Sequence, residues 1–354
     1  MPDQEQRQDG ERPEPLSRWT TLRLGGPART LVHAGTEAEL LAAVRGADAA
    51  GTPLLLLAGG SNLVVGDDGF DGTAVRVETR GTHEESDTCG GAVVRVAAGE
   101  PWDRFVALCV GRGLTGVEAL SGIPGSVGAT PVQNVGAYGQ EVADTISAVR
   151  CWDRVKDRQR TFAAADCEFG YRTSRFKREL GRYLVLEVSF QLRLGDLSAP
   201  LRYAELARTL GVEVGERAPL ETVREAVLAL RAAKGMVLDD ADPDTWSAGS
   251  FFTNPVLDDD AASALPDDAP RWPQPAGGVK TSAAWLIDHA GFSKGYGDDR
   301  ASVSTKHTLA LTNRGGARTA DLLALAAEVR RGVQERFGVR LDPEPVLVGC
   351  ALPD

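Results

Sequence analysis

Two periodicities of apolar and polar positions run along the chain and predict a mixed α and β fold. Thr36 and Glu39 have capping-box spacing before an Ala- and Leu-rich helix that we expect to reach Ala50. The apolar run at 53–58 predicts a buried strand, and residues 183–194 alternate as a strand does. Further strands are predicted at 63–65, 73–78, 93–97, 148–153, 158–163, 303–312 and 339–349. Further helices are predicted at 101–111, 201–210, 220–234, 280–290 and 319–337.

These elements are unevenly distributed along the chain. Residues 1–18 are polar, contain proline and show no periodicity, so we expect a disordered tail. Strands predominate up to about residue 196, whereas helices and strands alternate from about 215 onward. A length of 354 residues is enough for two or three domains.

Composition and charge exclude several classes of protein. The net charge of −11 argues against a general nucleic-acid binder. No apolar stretch approaches the ~20 residues of a membrane helix, so we expect no membrane insertion. The N-terminus lacks the apolar core of a secretory signal, and the five cysteines are odd in number and widely spaced, which predicts a reduced cytoplasmic protein. The four histidines share no ligand spacing, so we expect no metal site.

A glycine-containing segment follows the predicted buried strand. Ala58, Gly59, Gly60, Ser61 and Asn62 could present backbone N–H groups and polar side chains to a phosphate. The dinucleotide fingerprint GxGxxG is absent, and no helix pattern follows. A plain turn between two strands is the alternative interpretation.

Residues 121–139 form the densest glycine segment of the chain. A long irregular segment inside a folded domain is typical of ligand binding. Gln133 and Asn134 could read a flat polar ring with the help of backbone groups. A flexible surface loop is the alternative, but apolar residues such as Ile123 and Val127 would anchor the segment.

Three smaller groups could also contribute to a site. Arg172 lies with Arg175 and Lys177 in a basic cluster that is either a carboxylate or phosphate clamp or a solvated face. Ser250 follows a glycine and precedes two aromatic residues, although GxSxG is absent and a turn is the alternative. Glu344 stands between two prolines, and could equally be a solvated edge carboxylate.

These segments, in this order, resemble the UDP-N-acetylenolpyruvoylglucosamine reductase (MurB) family. The resemblance runs from about Trp19 to Gly349. Its specificity comes from the joint order of the motifs. They are Ala58-Gly-Gly-Ser-Asn62, Ser121-Gly-Ile-Pro-Gly125, Gln133-Asn-Val-Gly-Ala-Tyr138, Gly170-Tyr-Arg172, Ala248-Gly-Ser-Phe-Phe252, Asn254-Pro255, Trp285-Leu-Ile287 and Pro343-Glu344.

The resemblance implies an α+β fold in two parts. A FAD-binding unit of the p-cresol methylhydroxylase type would span 19–196, with two subdomains divided near 80. A smaller α+β substrate-binding domain would span 215–354. The family binds FAD non-covalently, takes a hydride from NADPH and reduces UDP-N-acetylglucosamine enolpyruvate to UDP-N-acetylmuramate, a cytoplasmic step of peptidoglycan synthesis. We expect a monomer or a weak oligomer with this small-molecule substrate.

The resemblance also implies roles for individual residues. Arg172 would bind the enolpyruvyl carboxylate, Ser250 would donate the proton, and Glu344 would be the acidic partner of that carboxylate. FAD would contact Ala58, Gly59, Gly60, Ser61, Asn62, Ser121, Gly122, Ile123, Gly125, Gln133, Asn134 and Gly136. The UDP-sugar would contact Tyr138, Tyr171, Tyr203, Lys234 and Asn254.

Two positions depart from the family pattern. The spacer between Lys234 and Ser250 is longer than usual and acidic, with aspartates at 239, 240, 242 and 244. Thr253 replaces a lysine that is frequent in the family, so one cation near the site would be missing.

Two other functions compete with the reductase. One is a flavin oxidase of the same fold, but many such oxidases tether the flavin through His or Cys, and neither residue occurs in 58–63 or 121–139. The other is a non-catalytic UDP-sugar or flavin sensor, which would not need Arg172, Ser250 and Glu344 together.

Overall fold

The computed structural model describes residues 14–87, 91–274 and 277–353. The α-helices in these ranges are α1 (Glu37–Ala49), α2 (Trp102–Gly111), α3 (Arg175–Arg178), α4 (Ala204–Leu210), α5 (Leu220–Ala233), α6 (Asp259–Ser263), α7 (Ala283–His289) and α8 (Thr319–Phe337). No helix among the described residues is long and apolar enough to cross a membrane.

The strands lie in two blocks along the chain. The first block is β1 (Ala28–Ala34), β2 (Leu54–Leu57), β3 (Leu63–Val65), β4 (Phe70–Val77), β5 (Thr82–Asp87), β6 (Gly91–Ala97), β7 (Leu114–Thr115), β8 (Gly136–Ala137), β9 (Gln140–Glu141), β10 (Ile146–Asp153), β11 (Arg158–Ala163) and β12 (Tyr183–Leu194). The second block is β13 (Ser247–Ser250), β14 (Val256–Leu257), β15 (Arg271–Pro273), β16 (Val279–Thr281), β17 (Ala301–Val303), β18 (Ala310–Asn313) and β19 (Val346–Val348).

A small parallel sheet begins the fold. Strands β1 and β2 flank β4, and α1 packs on this sheet through Leu40 and Val44, both fully buried. The Thr36 side chain accepts from the Glu39 backbone N–H, and the Glu39 carboxylate accepts from the Thr36 N–H. The capping box predicted from the sequence is therefore confirmed, and it fixes the start of α1.

A larger, mostly antiparallel sheet follows, in the order β11-β10-β12-β6-β5, with β7 beside β12. Helix α2 covers one face of it, where Trp102, Phe105 and Phe190 form an aromatic group with ring centroids 4.8–6.0 Å apart. The strands predicted at 148–153 and 158–163 are confirmed, and they form a hairpin in which β10 and β11 pair from Ala148 opposite Ala163 to Asp153 opposite Arg158. The change from the first sheet to the second falls between Val77 and Thr82.

Helix α5 packs against this second unit. Both guanidinium nitrogens Nη1 and Nη2 of Arg224 bond to the Asp103 carboxylate of α2, at 2.7 and 2.8 Å. A separate C-terminal core gathers α7, α8 and the sheet β13-β18-β17 around residues such as Phe251 and Leu322. In sequence, helix α5 lies between the second sheet and the C-terminal core. Its ion pair with Asp103 attaches it to the helix that covers the second sheet.

The last strand returns to the first part of the chain. Strand β19 pairs in parallel with β3, from Val346 opposite Leu63 to Val348 opposite Val65. Since β3 directly follows residues 58–62, this pairing carries Glu344 to the same edge. The two strands form a separate two-stranded sheet, which connects the C-terminal part of the chain to the N-terminal part where the predicted site lies.

Some predicted elements are wrong in extent. Of the predicted tail, residues 1–13 lie outside the described residues, but Leu16–Trp19 form a 3-10 helix and Leu16 is fully buried. The strand predicted at 303–312 is broken after Val303, because the Ser304 hydroxyl accepts from the backbone N–H groups of residues 306 and 307 in a turn. The strand predicted at 339–349 is limited to Val346–Val348, since Pro343 and Pro345 have no N–H to donate.

Two predicted helices are shorter than expected. The helix predicted at 201–210 begins only at Ala204. The helix predicted at 280–290 is a strand up to Thr281 and a helix from Ala283, because the Ser282 side chain caps the new helix by accepting from the Trp285 N–H.

Candidate active site

The first glycine loop, residues 58–62, connects β2 to β3. The backbone N–H groups of Gly59, Gly60, Ser61 and Asn62 donate to no acceptor in the described part of the chain. Gly60 has φ +60°, and a Cβ there would lie 1.8 Å from the Trp19 carbonyl oxygen. A sequence with glycine at 60 can therefore fold into this turn, and it leaves four consecutive donors free for an anion.

The second glycine loop, residues 121–125, lies against the first. A Cβ on Gly59 would come within 2.6 Å of the Gly125 Cα, and the Ser61 hydroxyl donates to the Pro124 carbonyl oxygen at 3.2 Å. The Gly122 N–H donates to the Asp103 carboxylate at 2.6 Å, which holds this loop to α2. The free donors and the side-chain-free surface of the two loops fit the diphosphate of a dinucleotide cofactor.

A chain of polar side chains leads away from the first glycine loop. Asn62 Nδ2 donates to Gln133 Oε1 at 3.0 Å, and Gln133 Nε2 lies 3.5 Å from Glu344 Oε1. Arg172 Nε lies 3.2 Å from the same Glu344 oxygen, and its Nη2 donates to the Gly136 carbonyl at 2.9 Å. Five sequence-predicted residues from four segments are thus brought together.

Arg172 and Glu344 form a half-buried ion pair. Burial raises the pKa of the Glu344 carboxyl group, while the charges of Arg172 and Lys177 act to lower it. Arg172 itself has φ +51°, and Lys177 Nζ donates to its carbonyl oxygen at 3.0 Å. The backbone of Arg172 is therefore held in an uncommon conformation by a neighbour from the same basic cluster.

Ser250 ends β13 beside this ion pair. The Glu344 N–H donates to the Phe251 carbonyl oxygen at 2.9 Å, and the Thr253 N–H donates to the Asp342 carbonyl at 3.1 Å. Phe251 is 1% exposed, and Gly249 before the serine has φ +74°. Burial of the phenylalanine and these backbone bonds place Ser250 next to Phe251, the residue whose carbonyl oxygen accepts from the Glu344 N–H.

A third group lines the side of α4 and α5. The Tyr138 and Tyr203 rings meet edge to face at 5.5 Å, and Lys234 Nζ lies 5.8 Å from the Tyr138 ring centroid. Lys234 Nζ also bonds to the Glu205 carboxylate at 2.7 Å. Three of the five predicted substrate residues are therefore in contact with one another.

The other two predicted substrate residues, Tyr171 and Asn254, form a separate pair next to Arg172. Burial raises the pKa of the Tyr171 hydroxyl, although Arg172 and a hydrogen bond with the Asn254 side chain act in the opposite direction. Asn254 Oδ1 accepts from the Ala283 N–H at 2.9 Å, which fixes the amide at the start of α7.

Some predicted residues are already engaged within the protein. The Asn134 amide donates to Glu141 and to the Gly170 carbonyl and accepts from the Ala143 N–H, and the Ser121 hydroxyl donates to the Glu118 carbonyl. Their contact with a cofactor would have to come from the backbone. Arg175 pairs with Glu168 and Glu179 instead of joining Arg172.

Sequence reasoning missed two neighbours of the site. Arg231 in the last turn of α5 is 8% exposed and lies against Gly122. Burial, together with Lys234, Lys294 and Arg231, lowers the pKa of His307 to about 4. Nothing in the sequence pattern placed His307 near Lys234.

Two family models match the chain. A FAD binding domain matches residues 28–157, which include both glycine loops, and the C-terminal domain of UDP-N-acetylenolpyruvoylglucosamine reductase matches residues 242–348. The predicted α+β class, with a FAD-binding unit before a smaller C-terminal domain, is confirmed. The second model begins after α5, whereas the sequence predicted a boundary near 215.

Named relatives match over nearly the full length. The chain is 59% identical over 341 residues to UDP-N-acetylenolpyruvoylglucosamine reductase of Cutibacterium acnes, covering 96% of this chain and 90% of that protein. It is also 59% identical over 349 residues to the reductase of Streptomyces coelicolor, with the same coverage. The crystal structure of the reductase (MurB) from Thermus caldophilus matches with a TM-score of 0.64 at 28% identity, over 95% of this chain and 97% of that one. The chain belongs to the UDP-N-acetylenolpyruvoylglucosamine reductase family.

Proposed function

We propose that this chain is a UDP-N-acetylmuramate dehydrogenase. It uses FAD and NADPH to reduce UDP-N-acetylglucosamine enolpyruvate to UDP-N-acetylmuramate, in the cytoplasm, as a step of peptidoglycan precursor synthesis. The observation that carries this proposal is the convergence of Arg172, Glu344 and Ser250 beside the first glycine loop. Family membership supports the choice of the substrate and of the hydride donor.

The two glycine loops would hold FAD. Their free N–H groups, Gly59 to Asn62, suit the diphosphate, and Gln133 and the backbone of Gly136 lie toward Arg172, where the reacting end would be needed. Bound FAD would supply the hydride-transfer chemistry between NADPH and the substrate. The residues of this chain position the reactants and stabilise charge.

Arg172 would bind the carboxylate of the enolpyruvyl group. Hydride addition at the β carbon of this alkene leaves negative charge on the α carbon, and that charge spreads into the carboxylate. A guanidinium held beside the carboxylate stabilises the developing charge, and it needs no rearrangement since its backbone and Nη2 are already fixed.

Glu344 holds the Arg172 guanidinium in place through their ion pair, and the same ion pair weakens the repulsion between Glu344 and the substrate carboxylate. A bare carboxylate would repel the incoming anion, but Glu344 is bridged to Arg172 at 3.2 Å, and burial raises its pKa. The bridge to Arg172 offsets the negative charge that the substrate would meet.

Ser250 would donate the proton that completes the reduction at the α carbon. A serine hydroxyl is a weak acid, but its acceptor is an enolic carbanion, which is strongly basic. The electron pair of the former double bond takes this proton, so one hydride and one proton are added across the alkene. Lys234, Tyr138 and Tyr203 would hold the UDP-sugar on the other side.

Anaerobic flavin spectroscopy on the purified protein tests the proposal. Addition of NADPH is expected to bleach the flavin absorbance, and addition of the enolpyruvyl UDP-sugar is expected to restore it. Bleaching without recovery would contradict the assigned substrate. Absence of flavin, even after FAD is added, would contradict the role of the two glycine loops.

A further inference from the structure

Arg231 is a buried cation without a counter-ion in the described part of the protein. Its side chain is 8% exposed, and no carboxylate of the described residues lies within ion-pair distance of it. Nη2 donates to the Met236 carbonyl oxygen at 2.8 Å, while Nε has no partner. Nη1 also makes no hydrogen bond within the described protein, but unlike Nε it is exposed to solvent.

Such an arrangement is costly unless an anion completes it. Removal of a charge from water costs several kcal/mol, and an isolated buried charge is rarely tolerated. Burial lowers the pKa of Arg231, and Asp103, the carboxylate that opposes this effect, already holds both guanidinium nitrogens of Arg224. The counter-ion of Arg231 is therefore missing from the described protein.

The position of Arg231 indicates what kind of anion would fit. A Cβ on Gly122 would lie 3.4 Å from its Nε, so the guanidinium borders the second glycine loop. Lys234 follows one helical turn later and lies near Tyr138. The second glycine loop and the group around Lys234 are both proposed to bind a nucleotide, so a phosphate group is the anion expected at this position. The planar guanidinium of arginine is well suited to bind it.

We propose that Arg231 binds the diphosphate of a nucleotide ligand, between the second glycine loop and the end of α5. This assignment rests on the proposed function. Of the three diphosphates that enter the site in it, those of FAD and of the UDP-sugar are assigned to the glycine loops and to Lys234, which are the neighbours of Arg231. Arg231 is then the group whose charge is compensated only when the ligand is bound.

The test uses three variants and two titrations. R231M removes the charge, R231K keeps it without the planar fork, and R331M removes an exposed arginine of α8 as a control. FAD is titrated into the flavin-free protein by fluorescence, and UDP is titrated into the FAD-loaded protein by calorimetry. Loss of FAD affinity identifies the cofactor diphosphate, and loss of UDP affinity identifies the substrate diphosphate.

We expect R231M to raise one of these dissociation constants about 10- to 100-fold, as for a lost charge-assisted hydrogen bond. R231K is expected to fall between R231M and the wild type, and R331M to bind normally. The flavin-free R231M should melt no lower than the flavin-free wild type, because it lacks an uncompensated buried charge. A merely structural arginine would lower that melting temperature.

Wild-type affinity of R231M for both ligands would overturn the assignment, and so would a lower melting temperature without a change in either affinity. If R231M does not fold, wild-type affinity of R231K at every salt concentration would overturn it instead. Neither titration requires turnover. A wild-type protein that binds FAD and UDP but leaves the enolpyruvyl sugar unreduced would therefore disprove the proposed function and leave the role of Arg231 standing.

Discussion

The first glycine loop and the cluster of Arg172, Glu344 and Ser250 lie side by side but use different parts of the chain. The loop offers backbone N–H groups from four consecutive residues, 59–62. The cluster offers side chains from three segments that are far apart in sequence and meet through β-sheet pairing and backbone bonds. In the proposed function, backbone N–H groups would bind the cofactor and side chains would act on the substrate, so mutations in the two regions should impair different steps.

The largest effect is expected for Ser250→Ala. Loss of the proton donor should slow reoxidation of the reduced flavin by the UDP-sugar about 10²- to 10⁴-fold. Bleaching by NADPH and affinity for FAD should stay unchanged, as measured by stopped-flow absorbance. Ser263→Ala, on the exposed part of α6, is the control. A normal rate of reoxidation would contradict the role of Ser250 as proton donor. Loss of FAD affinity would contradict the expectation that the cluster and the first glycine loop act separately.

Arg172→Met should lower the rate of substrate reduction about 10²- to 10³-fold, since it removes the cation that stabilises the carboxylate charge. Arg175→Met is the matched control, because Arg175 lies in the same basic cluster but pairs with Glu168 and Glu179. Steady-state kinetics with both variants would show whether the effect belongs to the cluster or to Arg172. Equal losses in the two variants would contradict the assignment.

Gly60→Ala tests the other region. The added methyl group would lie 1.8 Å from the Trp19 carbonyl oxygen at a positive φ, so the loop must move. We expect affinity for FAD to fall about 10- to 100-fold, as for the loss of one or two hydrogen bonds to a charged group. Gly46→Ala in α1, where a Cβ meets nothing within 4 Å, should bind FAD normally. Retained affinity in Gly60→Ala would show that the free N–H groups do not hold the cofactor.

The smallest effect concerns His307. Its pKa is about 4 in the folded protein because of burial, so the unfolded chain binds a proton below about pH 6.5 that the folded protein does not. Stability should therefore fall as the pH is lowered from 6.5 to 4. His307→Asn should recover about 1–2 kcal/mol of that loss at pH 5. Urea unfolding at pH 7 and 5 measures this, with exposed His83→Asn as the control, and equal pH dependence in all three proteins would contradict the buried position of His307.

Prediction from the sequence succeeded where the interactions that determine an element lie within one short segment. The helix at 37–49 begins where Thr36 and Glu39 cap each other, and both partners are three residues apart. The turn of the first glycine loop likewise follows from adjacent residues, since Gly60 permits its positive φ, while phosphate binding by this loop stays a prediction. Capping spacing and the backbone freedom of glycine depend only on residues close in sequence, so they can be predicted without knowledge of the tertiary structure.

Prediction failed where the decisive partner is remote. Leu16 stands alone in a polar segment, and only the core around β1 and β3 shows why it is buried. The break after Val303 depends on one Ser304 hydroxyl that bonds into a turn. Arg231 looks like an ordinary helix cation in sequence, and its burial against Gly122 needs the packing of α5 on α2.

The sequence by itself determined the family, the α+β class and the residue types of the site, because each motif is local and their order is specific. It could not determine which of those residues meet. Tertiary structure alone decided that Glu344 bonds to Arg172, since this contact follows from the parallel pairing of β19 with β3, which brings the distant residues Leu63 and Val346 opposite each other. It also decided which side chains remain free for a ligand, because Asn134 and Ser121 satisfy their hydrogen bonds within the protein whereas the N–H groups of the first glycine loop do not.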